Sequence, residues 1–177
     1  MKKLISALLL FVIAGTAFAA DEGVYIAVNA GQSSTDTYSL SSKTATGVSG
    51  LLGYQFNKYF GLEVQYTNFG SVTFQNGPSS DIYGYGLNAV GTYPFNDQWS
   101  VFLRVGAANT TVKSVTYSGT SYGDVSRSDV TWGIGGQYNF TPNWGLRLDY
   151  DSYGVGSSGN FPSATTGLAS VGVVYKF

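Results

Sequence analysis

The sequence has 177 residues, of which 11% are charged and 16% are aromatic. Because soluble domains usually carry about 25% charged residues, this composition suits a surface that contacts lipid better than one that contacts water. The net charge of −1 and the lack of a basic cluster argue against a nucleic-acid partner. The absence of cysteine excludes a fold held together by disulfides.

Residues 1–19 have the pattern of a secretory signal peptide. Two lysines precede an apolar run over residues 4–14, and a small-residue motif of the Ala-X-Ala type ends at Ala19. The apolar run is too short to cross the roughly 30 Å hydrocarbon core of a membrane as a helix. We therefore expect cleavage after Ala19 and a single exported domain over residues 20–177.

Beyond residue 20, apolar residues alternate with small or polar residues, which is the period of a β-strand. No apolar run there approaches the ~20 residues that a transmembrane helix needs. The alternation predicts eight strands, at residues 24–31, 47–56, 60–67, 83–93, 99–107, 130–140, 145–151 and 167–177.

The charged residues of these predicted strands lie on the faces opposite to the large aromatic and aliphatic residues. A soluble sandwich would turn its apolar faces to a core and its polar faces to water. A transmembrane barrel has a lipid-facing wall with aromatic girdles and a polar interior. The pattern therefore predicts a transmembrane barrel with an interior ion-pair network formed by Glu63, Arg104, Arg147, Asp149, Asp151 and Lys176. The many glycines on the inward faces are typical of a narrow lumen.

The connections between the predicted strands alternate in length. Short turns and long polar loops lie on opposite sides of an outer-membrane barrel, the turns in the periplasm and the loops outside the cell. The short turns are predicted at residues 57–58, 94–98 and 141–143, and the long loops at residues 32–44, 70–80, 113–127 and 154–165. The loops are rich in Ser, Thr, Gly and Tyr, which is a composition that can bind an extracellular ligand. Solvated loops without a ligand would have the same composition.

A Tyr-X-Phe motif recurs at the turn end of four predicted strands. An even number of strands returns both chain ends to the periplasmic side, so the first three copies predict a periplasmic aromatic rim of Tyr54, Phe56, Tyr93, Phe95, Tyr138 and Phe140. The fourth copy ends the sequence at Phe177, with Tyr175 and Val173 on the same apolar face. This last strand is predicted to close the barrel against residues 24–30.

Three stretches carry a family resemblance: residues 53–66 (GYQFNKYFGLEVQY), residues 93–104 (YPFNDQWSVFLR) and residues 141–150, which contain LRLDY. They resemble the OmpA-like transmembrane domains of Gram-negative outer membranes, and the resemblance covers essentially all of residues 20–177. It implies an all-β fold, an eight-stranded antiparallel up-and-down barrel in contact with outer-membrane lipid and lipopolysaccharide. Full-length members add a peptidoglycan-binding domain, which is not expected after Phe177.

The resemblance also implies roles for individual residues. Glu63 and Arg147 match an inward glutamate and an inward arginine that belong to the family's interior ion pairs. The lysine and the second acidic residue of that set are replaced, by Asn88 or Val90 and by Gln137. A terminal aromatic residue preceded by alternating apolar residues resembles the signal read by the barrel-assembly machinery, here carried by Phe177, Tyr175 and Val173.

Catalysis finds little support in the sequence. Without histidine or cysteine, a hydroxyl nucleophile lacks its usual base, and we expect neither an enzyme nor a cofactor or metal site. Asp149 and Asp151 face the same way, about 6.5 to 7 Å apart along a strand, a spacing that could serve paired-carboxylate chemistry. The alternative is that they balance the arginines inside the barrel, since buried charge needs partners.

Two functions follow as expectations. The first is a structural or surface-exposed outer-membrane protein whose loops interact with the exterior. The second is a narrow, porin-like channel gated by the Glu63–Arg147 pair, with a purely structural plug as the alternative role of that pair, because eight-stranded barrels enclose little more than side-chain volume.

Overall fold

The computed structural model describes residues 22–37, 40–73, 79–112, 116–117, 120–121, 125–155 and 164–177. The predicted signal peptide lies outside these ranges. Within them, no helix has the length and apolar character needed to cross a membrane.

Eight antiparallel strands close into a barrel, in the order β1-β10-β9-β8-β5-β4-β3-β2, which confirms the predicted fold. Two further short strands, β6 and β7, pair only with each other. The strands are β1 Gly23–Thr37, β2 Leu40–Asn57, β3 Phe60–Thr73, β4 Ser79–Pro94, β5 Trp99–Val112, β6 Thr116–Tyr117, β7 Thr120–Ser121, β8 Val125–Asn139, β9 Trp144–Val155 and β10 Ala164–Lys176.

The first and last strands close the barrel, as predicted. The register of β1 and β10 runs from Tyr25 opposite Lys176 to Asp36 opposite Thr165. Beyond the ladder, the backbone N–H of Phe177 donates to the carbonyl oxygen of Val24 at 3.0 Å. No strand of the barrel is left with an unpaired edge, which is the condition for a sheet to stand in hydrocarbon.

Side chains of the barrel strands alternate between the lumen and the outer wall. On β1, Val28 is 68% exposed on the outside, whereas the next residue, Asn29, is 1% exposed on the inside. Large apolar side chains therefore cover the outside, which is the reverse of a water-soluble protein. The buried polar and charged side chains lie inside, together with two clusters of buried apolar side chains. The predicted lipid-facing wall and polar lumen follow from this alternation.

Inward glycines make room for the large side chains of the lumen. A Cβ added to Gly53 would overlap the ring of Tyr25, and one added to Gly135 would overlap the ring of Phe102. In a barrel of eight strands the interior holds little more than packed side chains. Glycine on one strand therefore offsets a bulky ring on its neighbour.

Polar side chains hold the three short turns, which define the turn end of the barrel. The Oδ1 atom of Asn57 accepts the N–H groups of Tyr59 and Phe60, at 2.9 and 3.0 Å. The next turn is held in the same way by Asn96, and the third by the hydroxyl of Thr141. Such local side-chain bonds fix tight turns.

The predicted loop bounds at the opposite, loop end were wrong, because the strands are longer than the apolar alternation. β1 continues to Thr37 and β2 begins at Leu40, so most of residues 32–44 is paired strand. Strands also enter the other three predicted loops, at residues 70–73, 79–80, 125–127, 154–155 and 164–165. Backbone pairing between antiparallel neighbours continues past the point at which apolar side chains are needed.

Candidate functional site

The interior of the barrel brings five of the six predicted network residues together. Arg104 on β5 lies at the centre: its Nη1 atom contacts Glu63 Oε2 at 3.3 Å, and its Nη2 atom contacts Asp151 Oδ1 at 3.3 Å and also pairs with Asp149 Oδ1. Arg104 therefore joins acidic residues from β3 and β9. We call these five residues, Glu63, Arg104, Arg147, Asp149 and Asp151, the ion-pair network.

Arg147 on β9 binds two of the same carboxylates. Its Nη1 atom donates to Glu63 Oε1 at 3.0 Å, and its Nη2 atom lies 3.4 Å from Asp149 Oδ1. The ring of Phe102 packs against both guanidinium groups, with centroid distances of 4.3 Å to Arg147 and 5.2 Å to Arg104. The ring face is electron-rich, so it adds a cation–π contact to the ion pairs.

Glu63 is the most completely satisfied member of the network. Besides the two arginines, it accepts a hydrogen bond from the Tyr25 hydroxyl, whose oxygen lies 2.7 Å from Oε1. Both carboxylate oxygens thus have charged or hydroxyl donors, and charge-assisted bonds of this kind are the strong ones. Neither Asn88 nor Val90, the two residues matched to the family's lysine, carries a charge, and Arg104 supplies the second cation for Glu63 beside Arg147.

A neutral amide supplements Arg104 at the carboxylate of Asp151. The three acidic residues of the network face only two guanidinium groups, and Asp151 lies at the edge of the network. Its Oδ2 atom lies 3.5 Å from the Nε2 donor of Gln65. Gln65 in turn accepts from Asn88 Nδ2 at 3.2 Å, and Asn88 accepts from the Thr131 hydroxyl at 3.0 Å. This relay connects the network to β4 and β8.

The sixth predicted member, Lys176, lies at the turn end. Its backbone N–H donates to the carbonyl of Asn143 at 2.7 Å, and Asn143 Nδ2 donates back to the Lys176 carbonyl at 2.9 Å. The residue lines a cavity of about 810 Å³ that extends from the three turns to Glu63, Phe102 and Arg147. Its membership of the network stays a prediction.

Both aspartates considered for paired-carboxylate chemistry contact Arg104, which favours charge balance as their role. In the ranges that the structure describes, no group of three or more histidine, cysteine, aspartate or glutamate side chains could hold a metal ion.

The predicted rim aromatics lie on the outer wall at the turn end. Within three copies of the motif the two rings contact each other, with centroids 5.2 Å apart for Tyr54 and Phe56, 5.5 Å for Tyr93 and Phe95, and 4.9 Å for Tyr175 and Phe177. Tyr138 packs against Trp99 instead, at 4.6 Å. The three pairs within the motif are edge-to-face, which is a typical aromatic contact.

Sequence reasoning assigned no site role to Tyr25, Gln65 or Phe102. The alternation placed all three on inward faces, but a face alone does not say which side chains meet across the lumen. For Tyr25, the glycine opposite it in register, Gly53, was the available signal.

A family model described as the outer membrane protein beta-barrel domain matches residues 5–177. Outer membrane protein A of Serratia marcescens is 29% identical over 146 residues, which cover 76% of this chain and 40% of that protein. Outer membrane protein A of Salmonella typhi is 31% identical over 134 residues, with coverages of 71% and 38%. The chain thus spans about 40% of the length of the curated relatives that it matches.

Solved structures show the same fold. The crystal structure of Neisserial surface protein A superposes with a TM-score of 0.76 at 21% identity, covering 88% of this chain and 97% of that one. Ail, the attachment invasion locus protein of Yersinia pestis, superposes with a TM-score of 0.67 at 19% identity, with coverages of 89% and 99%. Together with the closed barrel and its apolar wall, the family match shows that this chain belongs to the outer membrane protein β-barrel family, an OmpA-like group, and resides in the Gram-negative outer membrane.

Proposed function

We propose that the exported chain, residues 20–177, is a structural outer-membrane barrel with a closed lumen that presents its loop end to the exterior. The observation that carries this proposal is the ion-pair network, which joins opposite walls of the barrel through buried side chains. A lumen closed by this network serves stability and leaves the loop end as the surface for interaction. The matched family consists of outer-membrane barrel proteins, and we assign no enzymatic activity.

The loop end supports a surface role through its composition. Outward residues just beyond the apolar wall are exposed and neutral, among them Gln32, Thr44, Thr46 and Asn68. We propose that hydroxyl and amide groups at this level contact the sugars of lipopolysaccharide in the outer leaflet. The strands then continue to the predicted loops, which would carry binding of an extracellular ligand, a role that exposed loops on a rigid scaffold often have.

A structural neighbour gives this proposal a specific chemistry to test. Ail of Yersinia pestis has been crystallised with sucrose octasulfate, a heparin analogue. We expect cells that display this barrel to bind heparin-coated surfaces or host extracellular matrix better than cells without it. Replacing residues 157–162 by a glycine–serine linker should reduce that binding, with an equal surface level of protein as the control. Equal adhesion with and without the barrel would contradict a loop-mediated role.

The second candidate function is a narrow channel gated by the Glu63–Arg147 pair. The observation that favours it is the cavity at the turn end, which leads from the three turns to this pair. Single-channel recording of the purified barrel in planar bilayers tests it, with wild type beside Glu63→Ala. Conductance of Glu63→Ala but not of wild type would support a gate at this pair, and silence of both proteins would refute this pair as the sole barrier in the lumen.

Assembly is proposed to depend on the last strand. Phe177 packs edge-to-face on Tyr175 at the outer wall, where the barrel-assembly machinery could read both rings. We expect Phe177→Ser to lower the surface level and the heat-modifiable folded fraction more than the lipid-facing control Val130→Ser. Equal folded fractions for the two variants would show that the terminal ring carries no assembly signal.

A further inference from the structure

The loop half of the lumen contains a second set of packed side chains, which we call the apolar layer: Phe69, Ala108, Tyr153 and Leu168, each buried, with Ile82 packed against them. We propose that the apolar layer is a second barrier to permeation, in series with the ion-pair network and independent of it. This inference deepens the channel hypothesis by naming the residues that would control passage beyond the Glu63–Arg147 pair.

The apolar layer reaches across the whole lumen. In the barrel order, β3 and β9 are separated by three strands in either direction, so they are diametrically opposite. The rings of Phe69 on β3 and Tyr153 on β9 nevertheless lie 4.8 Å apart, nearly perpendicular to each other. Leu168 on β10 and Ala108 on β5 complete the layer from two further strands. This contact between opposite walls, with Leu168 and Ala108 beside it, narrows the lumen at this level to a constriction lined by apolar side chains.

The same two strands are connected at each inward residue of β3 from Glu63 to Phe69. Along β3, the contacts with β9 are Glu63 to Arg147 at 3.0 Å, Gln65 to Asp151 at 3.5 Å, Thr67 to the Tyr153 hydroxyl at 3.3 Å, and Phe69 to the Tyr153 ring. Only the contacts nearest the turn end involve ion pairs. Breaking the Glu63–Arg147 pair therefore leaves the contacts toward the loop end in place.

A β-bulge holds Phe69 in the lumen. The register between β3 and β4 shifts between Asn68 and Gly70, and Gly70 has φ 83°, a conformation that glycine adopts without steric cost. Asn68 Oδ1 accepts the Gly70 N–H at 2.9 Å, and the Ser33 hydroxyl donates to the Phe69 carbonyl at 3.0 Å. The position of Phe69 is thus fixed locally by groups outside the ion-pair network.

The two barriers act by different physical means. Ion pairs block a lumen with charged groups that can exchange partners, whereas a hydrophobic constriction excludes ions because water does not wet it. Loss of a charge in the network does not change the dryness of the apolar layer. Conduction would therefore need both barriers to open.

Cysteine accessibility separates the two barriers, since the chain contains no native cysteine. Thr67 is 1% exposed and lies on β3 between Gln65 and Phe69, so Thr67→Cys reports on the space behind the apolar layer. A membrane-impermeant maleimide is added from the loop side, with the exposed Thr44→Cys as the positive control. We expect no labelling of Thr67→Cys, either alone or combined with Glu63→Ala. When Phe69→Ala and Leu168→Ala are added to Thr67→Cys, we expect labelling at a rate comparable with that of the control.

Two results would overturn the inference. One is labelling of Thr67→Cys from the loop side while the apolar layer is intact. The other is an unlabelled cysteine after Phe69→Ala and Leu168→Ala in protein whose heat-modifiable mobility shows a folded barrel. If the double substitution prevents folding, Leu168→Ala alone replaces it. We then expect Thr67→Cys to be labelled at an intermediate rate, and an unchanged labelling rate would refute the barrier.

Bilayer recording then tests the series arrangement. Glu63→Ala and the Phe69→Ala, Leu168→Ala protein are each expected to be silent, and the triple variant is expected to conduct. Conductance of the Glu63→Ala protein would contradict the existence of a second barrier. If the triple variant is silent although Thr67→Cys in the same background is labelled, the channel hypothesis fails while the apolar layer stands. The two failures are therefore distinguishable.

Discussion

The inward and outward faces of strand β9 differ in what they require of each residue. Inside, Arg147 is 2% exposed and binds two named carboxylates across the lumen; outside, its neighbour Leu148 is 66% exposed. The inner side chain is determined by the geometry of particular partners. The outer one has only to be compatible with lipid. One strand thus has an inner face that requires particular residues and an outer face that accepts residues compatible with lipid. Removal of a charge should destabilise the barrel at the inner face, and addition of a charge should destabilise it at the outer face.

Removal of an interior charge should have the largest effect. Arg147→Ala leaves the buried Glu63 and Asp149 with Arg104 as their only guanidinium partner, and breaking a buried pair in this way costs about 3–5 kcal/mol. Urea-induced unfolding in lipid vesicles, followed by tryptophan fluorescence, measures the loss. The adjacent outward substitution Leu148→Ala is the matched control and should cost much less. Equal losses for the two variants would remove the distinction between the faces.

Introduction of a charge on the wall tests the same comparison from the other side. Val64 is 56% exposed on the outer face of β3, directly after the buried Glu63. Val64→Arg should destabilise the barrel by about 2–4 kcal/mol if the position lies near the bilayer midplane. The control Val64→Leu should change the free energy of unfolding by no more than about 0.5 kcal/mol. A tolerated arginine would mean that this face does not contact hydrocarbon.

The smallest expected effect on the free energy of unfolding comes from two glycines on β2, whose alanine variants are closely matched. A Cβ at Gly53 would overlap the Tyr25 ring, whereas one at Gly50 would meet nothing within 4 Å. Gly53→Ala should cost about 1–3 kcal/mol through overpacking, and Gly50→Ala should stay within about 0.5 kcal/mol of wild type. The same unfolding experiment measures both. A neutral Gly53→Ala would show that the Tyr25 ring, with its bond to Glu63, moves without cost.

The strands and their orientation could be predicted from the sequence because lipid and lumen impose opposite demands on alternate residues. At the loop ends that signal fades. Beyond Gln32 both faces of β1 carry serine and threonine, so nothing in the residue pattern separates a paired strand from a loop. The pairing continues to Thr37 because backbone hydrogen bonds between neighbours do not depend on the side chains.

The apolar layer was missed for a related reason. Alternation ended the third and seventh predicted strands at Thr67 and Asp151, so Phe69 and Tyr153 fell outside them. Each is the next inward residue on its strand, and extending the alternation by one step would have placed both rings in the lumen. Their contact with each other could not be predicted, because it depends on which strands are opposite in the closed barrel and on the bulge before Gly70.

The pairing of β1 with β10 constrains the order in which the molecule can form. Tyr25 and Lys176 are partners in one ladder although nearly the whole chain separates them. Until these strands meet, each presents a row of unpaired N–H and C=O groups, which hydrocarbon does not tolerate. We therefore expect no smaller set of these strands to be a stable intermediate in the bilayer. Insertion and folding should be one cooperative event, which long-range pairing makes slow and which is complete only when the first strand meets the last.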